Sequence, residues 1–400
     1  MQASRLIAAT AATVAVALAF ATPAFADGAP SYTLVDLGRP GTNNVGHTDG
    51  ISTSGSYVVG HGIVGSNNAY IWTAATGTSA LLSAYSTNNW ATSVNDSGLV
   101  VGMASSSAGL ANDGSSYTSS TPVMWKNGVA TALAASGRVF SVNDAGLAVG
   151  SSGTIGTVAQ RAVIYDTNAG TSSIISATTA DGVSMSSAQS ISDNGVIVGT
   201  GTDAGTGLAV SLSYNIATGT MTRIASSDGL VNPTVVSDVN NNGVAVGYSG
   251  SALAPSPYSW SAAAGLSSLL LPAGMVSGVA TGINDNGWIV GYAKNGVDGA
   301  YHPFLTIGSS SYALDSLISN AAGWNFAASG SLSINGIADD GTIIGYTFTT
   351  ENGSQKIHGF ALQISAVPEP ASCALMLGGL FAVGAVARRR RHGNAAELAA

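Results

Sequence analysis

One ten-residue pattern is written seven times along this chain. Its clearest copy is Ile283-Asn284-Asp285-Asn286-Gly287-Trp288-Ile289-Val290-Gly291-Tyr292. Asn-Asp-Asn-Gly is a turn signal, because Asx side chains hydrogen-bond nearby backbone and glycine takes positive φ without a Cβ penalty. Trp-Ile-Val reads as a short strand buried on both faces. The closing glycine marks a bend or a close approach of another backbone segment. The turn glycines of the seven copies are Gly55, Gly98, Gly146, Gly195, Gly243, Gly287 and Gly341, and they lie 43, 48, 49, 48, 44 and 54 residues apart. A period of about 40–50 residues is that of propeller blades, and longer than that of leucine-rich repeats.

The second copy parses most simply. Strand one covers 90–94, a tight turn 95–98, strand two 99–103, a Ser/Gly-rich loop 104–121, strand three 122–125 and strand four 129–133, with Asn127-Gly128 as a hairpin turn. Four antiparallel strands per repeat make one blade. The first copy departs from the rest: it lacks the Asx pair and has one extra residue between Gly55 and Gly60, as a terminal repeat would.

The expected fold is therefore all-β, a seven-bladed β-propeller of four-stranded antiparallel blades over residues 27–365. Repeat seven ends at 364 with no fourth strand. A lone strand, 32–37, precedes repeat one and looks like 312–317, the expected fourth strand of repeat six. Pairing 32–37 with 360–364 would seal the ring and leave no open sheet edge in it. Antiparallel order puts the short Asx-Gly turns at one end of the ring. The longer, irregular loops fall mostly at the other, where recognition is expected.

The third strands run Ala69-Tyr70-Ile71-Trp72, then 122–125 and so on to His302-Pro303-Phe304 and His358-Gly359-Phe360. With the turn, they resemble the bacterial extracellular HAF repeat family over roughly residues 45–365. The turn carries the likeness best, since five of the seven copies lack the histidine. The resemblance implies an extracellular setting and a repeat fold, not an activity.

Residues 1–26 have one basic residue, Arg5, an apolar run to Phe20 and the small-x-small site Ala24-Phe25-Ala26. This is the pattern of a secretory signal peptide, with the mature chain starting at Asp27. At the other end, Val367-Pro368-Glu369-Pro370, an apolar run over 371–387 and Arg388-Arg389-Arg390-Arg391 occur in that order, with 392–400 as a short tail. Residues 366–391 resemble a PEP-CTERM sorting signal, whose processing partner is an exosortase-type membrane protease of Gram-negative bacteria. Proline keeps Pro-Glu-Pro extended. The 17-residue apolar run is just long enough to span as a transmembrane helix, and the arginines hold the tail on the cytoplasmic side. The expected route is export, transient anchoring in the inner membrane with the body in the periplasm, then the cell surface or extracellular matrix.

Only 8% of residues are charged, and between the two terminal signals 7 Lys and Arg face 18 Asp and Glu. That balance argues against nucleic acid as a partner. The single cysteine, Cys373, rules out a disulfide framework. Glu351 is the only glutamate ahead of Pro-Glu-Pro, so a Glu–Glu hydrolytic pair is excluded. His47, His61, His302 and His358 lack metal-ligand spacing. No catalytic, metal or cofactor residue is therefore assigned. Trp72, Trp125, Tyr165 and Trp260 end third strands and read as packing between blades, with sugar stacking as the alternative.

The favoured function is a monomeric, non-enzymatic surface or matrix protein with exopolysaccharide as candidate ligand. The alternatives are a glycan-acting enzyme with its site on the loop face, and a calcium-stabilised structural scaffold.

Overall fold

A computed structural model describes residues 29–38, 46–64, 66–105, 120–153, 160–224, 234–251, 253–327 and 332–365. The signal-peptide positions Ala24, Ala26 and Asp27 and the sorting signal at 366–391 lie outside these residues. Seven antiparallel sheets make up the described residues, six of them built in sequence order and the seventh from both ends of the chain. Blade 1 is Gly46–Ile51, Val58–Val64, Ser66–Thr73 and Gly77–Leu81. Blade 2 is Asn88–Val94, Val100–Ser105, Ser120–Lys126 and Val129–Ala132, close to the sequence expectation. Blades 3 to 6 occupy 138–174, 185–224, 234–268 and 275–313.

Blade 7 joins the two ends of the chain. Its strands Ser333–Ile337, Ile343–Glu351 and Ser354–Ile364 are completed by Tyr32–Gly38. Tyr32 sits opposite Ile364, Leu34 opposite Leu362 and Asp36 opposite Phe360, so the ring is sealed as the strand count requires. A short extra strand, Trp324–Asn325, also pairs with Ile343–Glu351, making five strands in this sheet. The outer edge is covered as well. Ser319 donates its amide to the Tyr32 carbonyl at 2.9 Å, and the Asn320 side chain exchanges hydrogen bonds with both backbone groups of Leu34.

Residues 312–317 do not form the single strand that their likeness to 32–37 suggests. The fourth strand of blade 6 is Ser310–Ala313, and Leu314–Leu317 tightens into a 3-10 turn. The chain must cross to blade 7 here, and Leu314, fully buried beside Tyr32, anchors the crossing.

The core lies between blades rather than in one central mass. Val59 and Leu81 of blade 1 pack on Val100, Val123 and Trp125 of blade 2, and Leu305 of blade 6 packs on Ile343, Phe360 and Tyr32 of blade 7. Trp125, Tyr165 and Trp260 are buried in such interfaces, with Trp72 packed at the edge of another. Each fully buried large side chain contributes about 1.5–3 kcal/mol.

Every innermost strand carries a β-bulge at the same place, just before its turn. The register skips one residue after Thr48, Ala91, Val139, Ala188, Val236, Ala280 and Ile334. The second glycine of each repeat lies against this strand. A Cβ on Gly102 would fall 1.8 Å from the Trp90 carbonyl, and one on Gly291 would fall 2.0 Å from that of Val279. The turn glycines are different: all seven have φ between 72° and 84°, and Gly287 at 75° has open space where a Cβ would go. Two kinds of glycine therefore share one motif. Gly287→Ala should cost about 1–2 kcal/mol of backbone strain, whereas Gly291→Ala must displace a strand and should cost well over about 3 kcal/mol. Chemical denaturation of both variants checks this order, and equal costs would contradict it.

Candidate functional site: the central channel

The repeated turn does more than reverse the chain. Its second position accepts a hydrogen bond from the backbone amide of the preceding blade. Ser54 donates to Asp96 at 2.8 Å, Asp96 to Asp144 at 2.8 Å, and Asp144 to Asp193 at 2.7 Å. Asp193 donates to Asn241 at 2.6 Å, Asn241 to Asp285 at 2.7 Å, and Asp285 to Asp339 at 2.8 Å. Asp339 closes the circle onto the Thr53 carbonyl at 2.8 Å. Seven bonds thus run once round the ring, most of them from an amide to an ionised side chain, the stronger class of hydrogen bond.

The first motif position adds a deeper tie. Asn284, 3% exposed, accepts the Trp288 amide at 2.9 Å on Oδ1 and donates through Nδ2 to the Ala338 carbonyl of blade 7 at 2.9 Å. Asn95, Asn143 and Asn240 act the same way toward Asn143, Ser192 and Asn284. One side chain therefore holds its own turn and its neighbour's. Blade 1, with Ser52 and Thr53 in these places, takes part through an offset of one residue and a backbone carbonyl.

Inside this girdle is a channel of about 230 Å³. Its wall is built by the bulges, because the extra residue of each inner strand lines the cavity: Asp49, Thr92, Phe140, Gln189, Ser237, Thr281 and Asn335. Bulges commonly re-aim side chains beside functional sites. The turn residues Asp193, Asn241, Asp285 and Asp339 rim the cavity. It therefore lies at the Asx-turn end, opposite the longer loops. Among the described lining residues there is no Lys, Arg or His, and Phe140 is the one aromatic ring.

Most lining polar groups already have partners. Thr92 donates to the Val139 carbonyl at 3.1 Å. Asp238 accepts from Ser190 of blade 4 at 2.7 Å and from the Ile283 amide of blade 6 at 3.1 Å. Burial raises the Asp238 pKa against these hydrogen bonds. Burial likewise raises that of Asp144, with a contribution from the charges of Asp193 and Asp96. For Asp339 burial is again the main cause, and Asp285, Asp96 and Asp193 add to it.

Asp49 also faces a histidine: its carboxylate lies 2.5 Å from Nδ1 of His61. His47 stands edge-on to His61 at 4.9 Å and stacks on Tyr346 at 4.0 Å. Burial, then the charge of His61, lowers the His47 pKa to about 4, so this ring is neutral at physiological pH. His302 and His358 occupy equivalent positions and pair with Asp315 and Asp36, each at 3.0 Å. His358 thereby ties the N-terminal strand to the last one. Among the described residues, no three His, Cys, Asp or Glu side chains converge as a metal-ligand set, and no helix is long and apolar enough to cross a membrane.

The seven turn glycines all have positive φ, whereas the repeat pattern as read from the sequence does not mark the lining residues. A usable signal was present, since each bulged residue stands three positions before the first turn position, as Phe140 does before Asn143. Simple strand alternation hides it, because the bulge breaks the alternation.

Comparison with known proteins places residues 366–391 in the PEP-CTERM protein-sorting motif. The protein thus carries an exosortase-type sorting signal, which implies export and membrane-anchored sorting. No curated protein matches the sequence. Among solved structures, an oligogalacturonate lyase from Vibrio parahaemolyticus aligns with a TM-score of 0.51 at 9% identity, covering 84% of this chain and 98% of that one. The β-propeller domain of the Trilobed protease from Pyrococcus furiosus aligns at 0.48 and 11% identity over 82% and 98%. A streptogramin B lyase aligns at 0.48 and 10% over 84% and 98%. At these identities the likeness is one of fold alone.

Two sets of variants test the girdle. Asn284→Ala loses a turn bond and a blade bond in a buried place and should cost about 2–4 kcal/mol. Asp285→Ala should cost about 1–3 kcal/mol, and the exposed Asn286→Ala less than about 1 kcal/mol. Equilibrium unfolding would expose any other order. Asp339→Asn keeps the acceptor, as Asn241 does naturally, and removes the crowded charge. A carboxyl whose folded pKa is raised contributes most below its ordinary value and loses that contribution as pH rises through the folded pKa. The variant should therefore melt higher than wild type at pH 7, and the gap should close as pH falls below the ordinary carboxylate range. A lower melting temperature at pH 7 would contradict this.

Proposed function

We propose that this exported propeller is a non-enzymatic binding module of the cell surface or extracellular matrix, and that its channel takes a terminal sugar unit of a polysaccharide. The observation that carries the reading is the ring of seven bulges. It turns Thr92, Gln189, Ser237, Thr281 and Asn335 toward one lumen together with a single aromatic ring, Phe140. Hydroxyl and amide groups around one aromatic face suit a sugar. A cavity of about 230 Å³ is small for a bound chain lying across it and fits an end group better.

Charge selects among sugars. Asp49, Asp193, Asp238, Asp285 and Asp339 line the cavity, no Lys or Arg is among the described lining residues, and Asp49 alone faces an imidazole, that of His61. Uronate-rich polymers would be repelled, so the ligand is a neutral or amino sugar. The non-enzymatic reading draws support from the same residues. The rim carboxylates already accept backbone amides from neighbouring blades, which leaves them poorly disposed to carry protons for a reaction. The HAF-repeat resemblance, with its extracellular setting, agrees with a surface role. One observation favours a second reading: the Asp49–His61 pair beside the lumen, with His47 and Tyr346 close by, is where an acid–base pair for glycan cleavage would stand.

The test uses the secreted protein on an array of neutral, amino and uronic-acid oligosaccharides, with chromatography of the bound sugars afterward. Binding should appear on neutral or amino sugars, fall at least tenfold in Phe140→Ala and leave the sugars intact. Preference for uronates would overturn the ligand class, and shortened products would overturn the non-enzymatic assignment. Mass spectrometry of exported protein should find the chain cut near residues 368–371, and an intact C-terminus would contradict sorting.

A further inference from the structure

We infer that, while the sorting tail is in the membrane, the propeller stands with its Asx-turn face and channel mouth toward the bilayer and its loop end toward the periplasm. This rests on the reading of 371–387 as a membrane span. The direction follows from strand order. In each blade the first strand runs toward the turn end, the second away from it and the third toward it again. Ser354–Ile364 is the third strand of blade 7, so it finishes at the turn end. Side-chain placement agrees: a Cβ on the turn glycine Gly341 would meet Cδ1 of Ile364 at 2.5 Å. Ser365 is held there by the hydrogen bond its backbone amide donates to the Ser31 carbonyl at 2.8 Å.

Five residues, 366–370, separate Ser365 from the apolar run. Fully extended they reach at most about 18 Å. To turn the loop end to the membrane, the tether would have to run back along the 11-residue strand Ser354–Ile364, about 36 Å at 3.3 Å per residue. It is too short by half.

The headgroup layer takes about 5–8 Å of the tether's reach. What remains is about 10–13 Å, so the anchored mouth lies close above the headgroups. The loop end, with exposed Leu253 and Val297, faces away from the bilayer in that state.

The experiment uses the full chain with Cys373→Ser, reconstituted in phosphatidylethanolamine/phosphatidylglycerol vesicles that carry an energy-transfer acceptor on a fraction of the headgroups. A donor dye is placed at Ala145→Cys on the turn face or at Val297→Cys on the loop end; both positions are exposed. Flotation with the vesicles reports anchoring separately. Transfer from position 145 should exceed that from 297 at least threefold. Floating protein with equal or reversed transfer overturns the orientation alone. Protein that does not float overturns the membrane span, and the orientation falls with it. Circular dichroism of each labelled variant confirms that the blades are folded.

Discussion

The bond on which this structure depends runs from a backbone amide of one blade to the carboxylate of the next. A propeller blade buries both faces against its neighbours, but apolar packing is not directional and leaves the blades free to slip. Hydrogen bonds between successive turns fix the angular register. Asp285 accepts from Asn241 and donates its own amide to Asp339, so outside blade 1 one residue is both ends of the lock. Because the circle closes on Thr53, every junction between neighbouring blades carries such a bond. Tyr32–Gly38 performs the same task at the outer strands, where the chain ends would otherwise leave an open edge.

The lock also shapes the lumen. A bulge just before each turn bends the inner strand toward its partner, which demands a glycine opposite it. Gly60, Gly102, Gly150, Gly199, Gly247, Gly291 and Gly345 all meet that demand. The residue displaced by the bulge faces the channel. The position is free to vary where the motif around it is not, and it holds Asp49, Phe140 and Gln189 among others. A frame repeated in every blade around an inner ring that differs from blade to blade leaves function to the site and not to the fold. It is also why fold likeness to lyases and a protease domain says nothing here about chemistry.

Much of the fold was legible in the sequence because its signals are local. Asn284 through Tyr292 state turn, strand and glycine within ten residues, and the missing fourth strand of repeat seven follows from counting. The lock was not legible. Asp285 and its donor Asn241 are 44 residues apart in the chain, and an Asx side chain that bonds its own turn looks the same as one that reaches the next blade. Likeness misled at residues 312–317, where the sequence of a strand meets the need to cross between blades and Leu314–Leu317 coils instead. The pairing of His302 with Asp315, and of His358 with Asp36, was hidden for the same reason of distance across strands.

The central claim is that the repeated motif is one closed lock and not seven separate turns. Native-state hydrogen exchange of the amides of Ser54, Asp96, Asp144, Asp193, Asn241, Asp285 and Asp339 tests it directly. A closed lock predicts that all seven exchange through a common opening, with a free energy close to that of global unfolding. Separate turns would let each amide exchange at its own rate, several of them near the rate of an unstructured peptide, and that result would contradict the account.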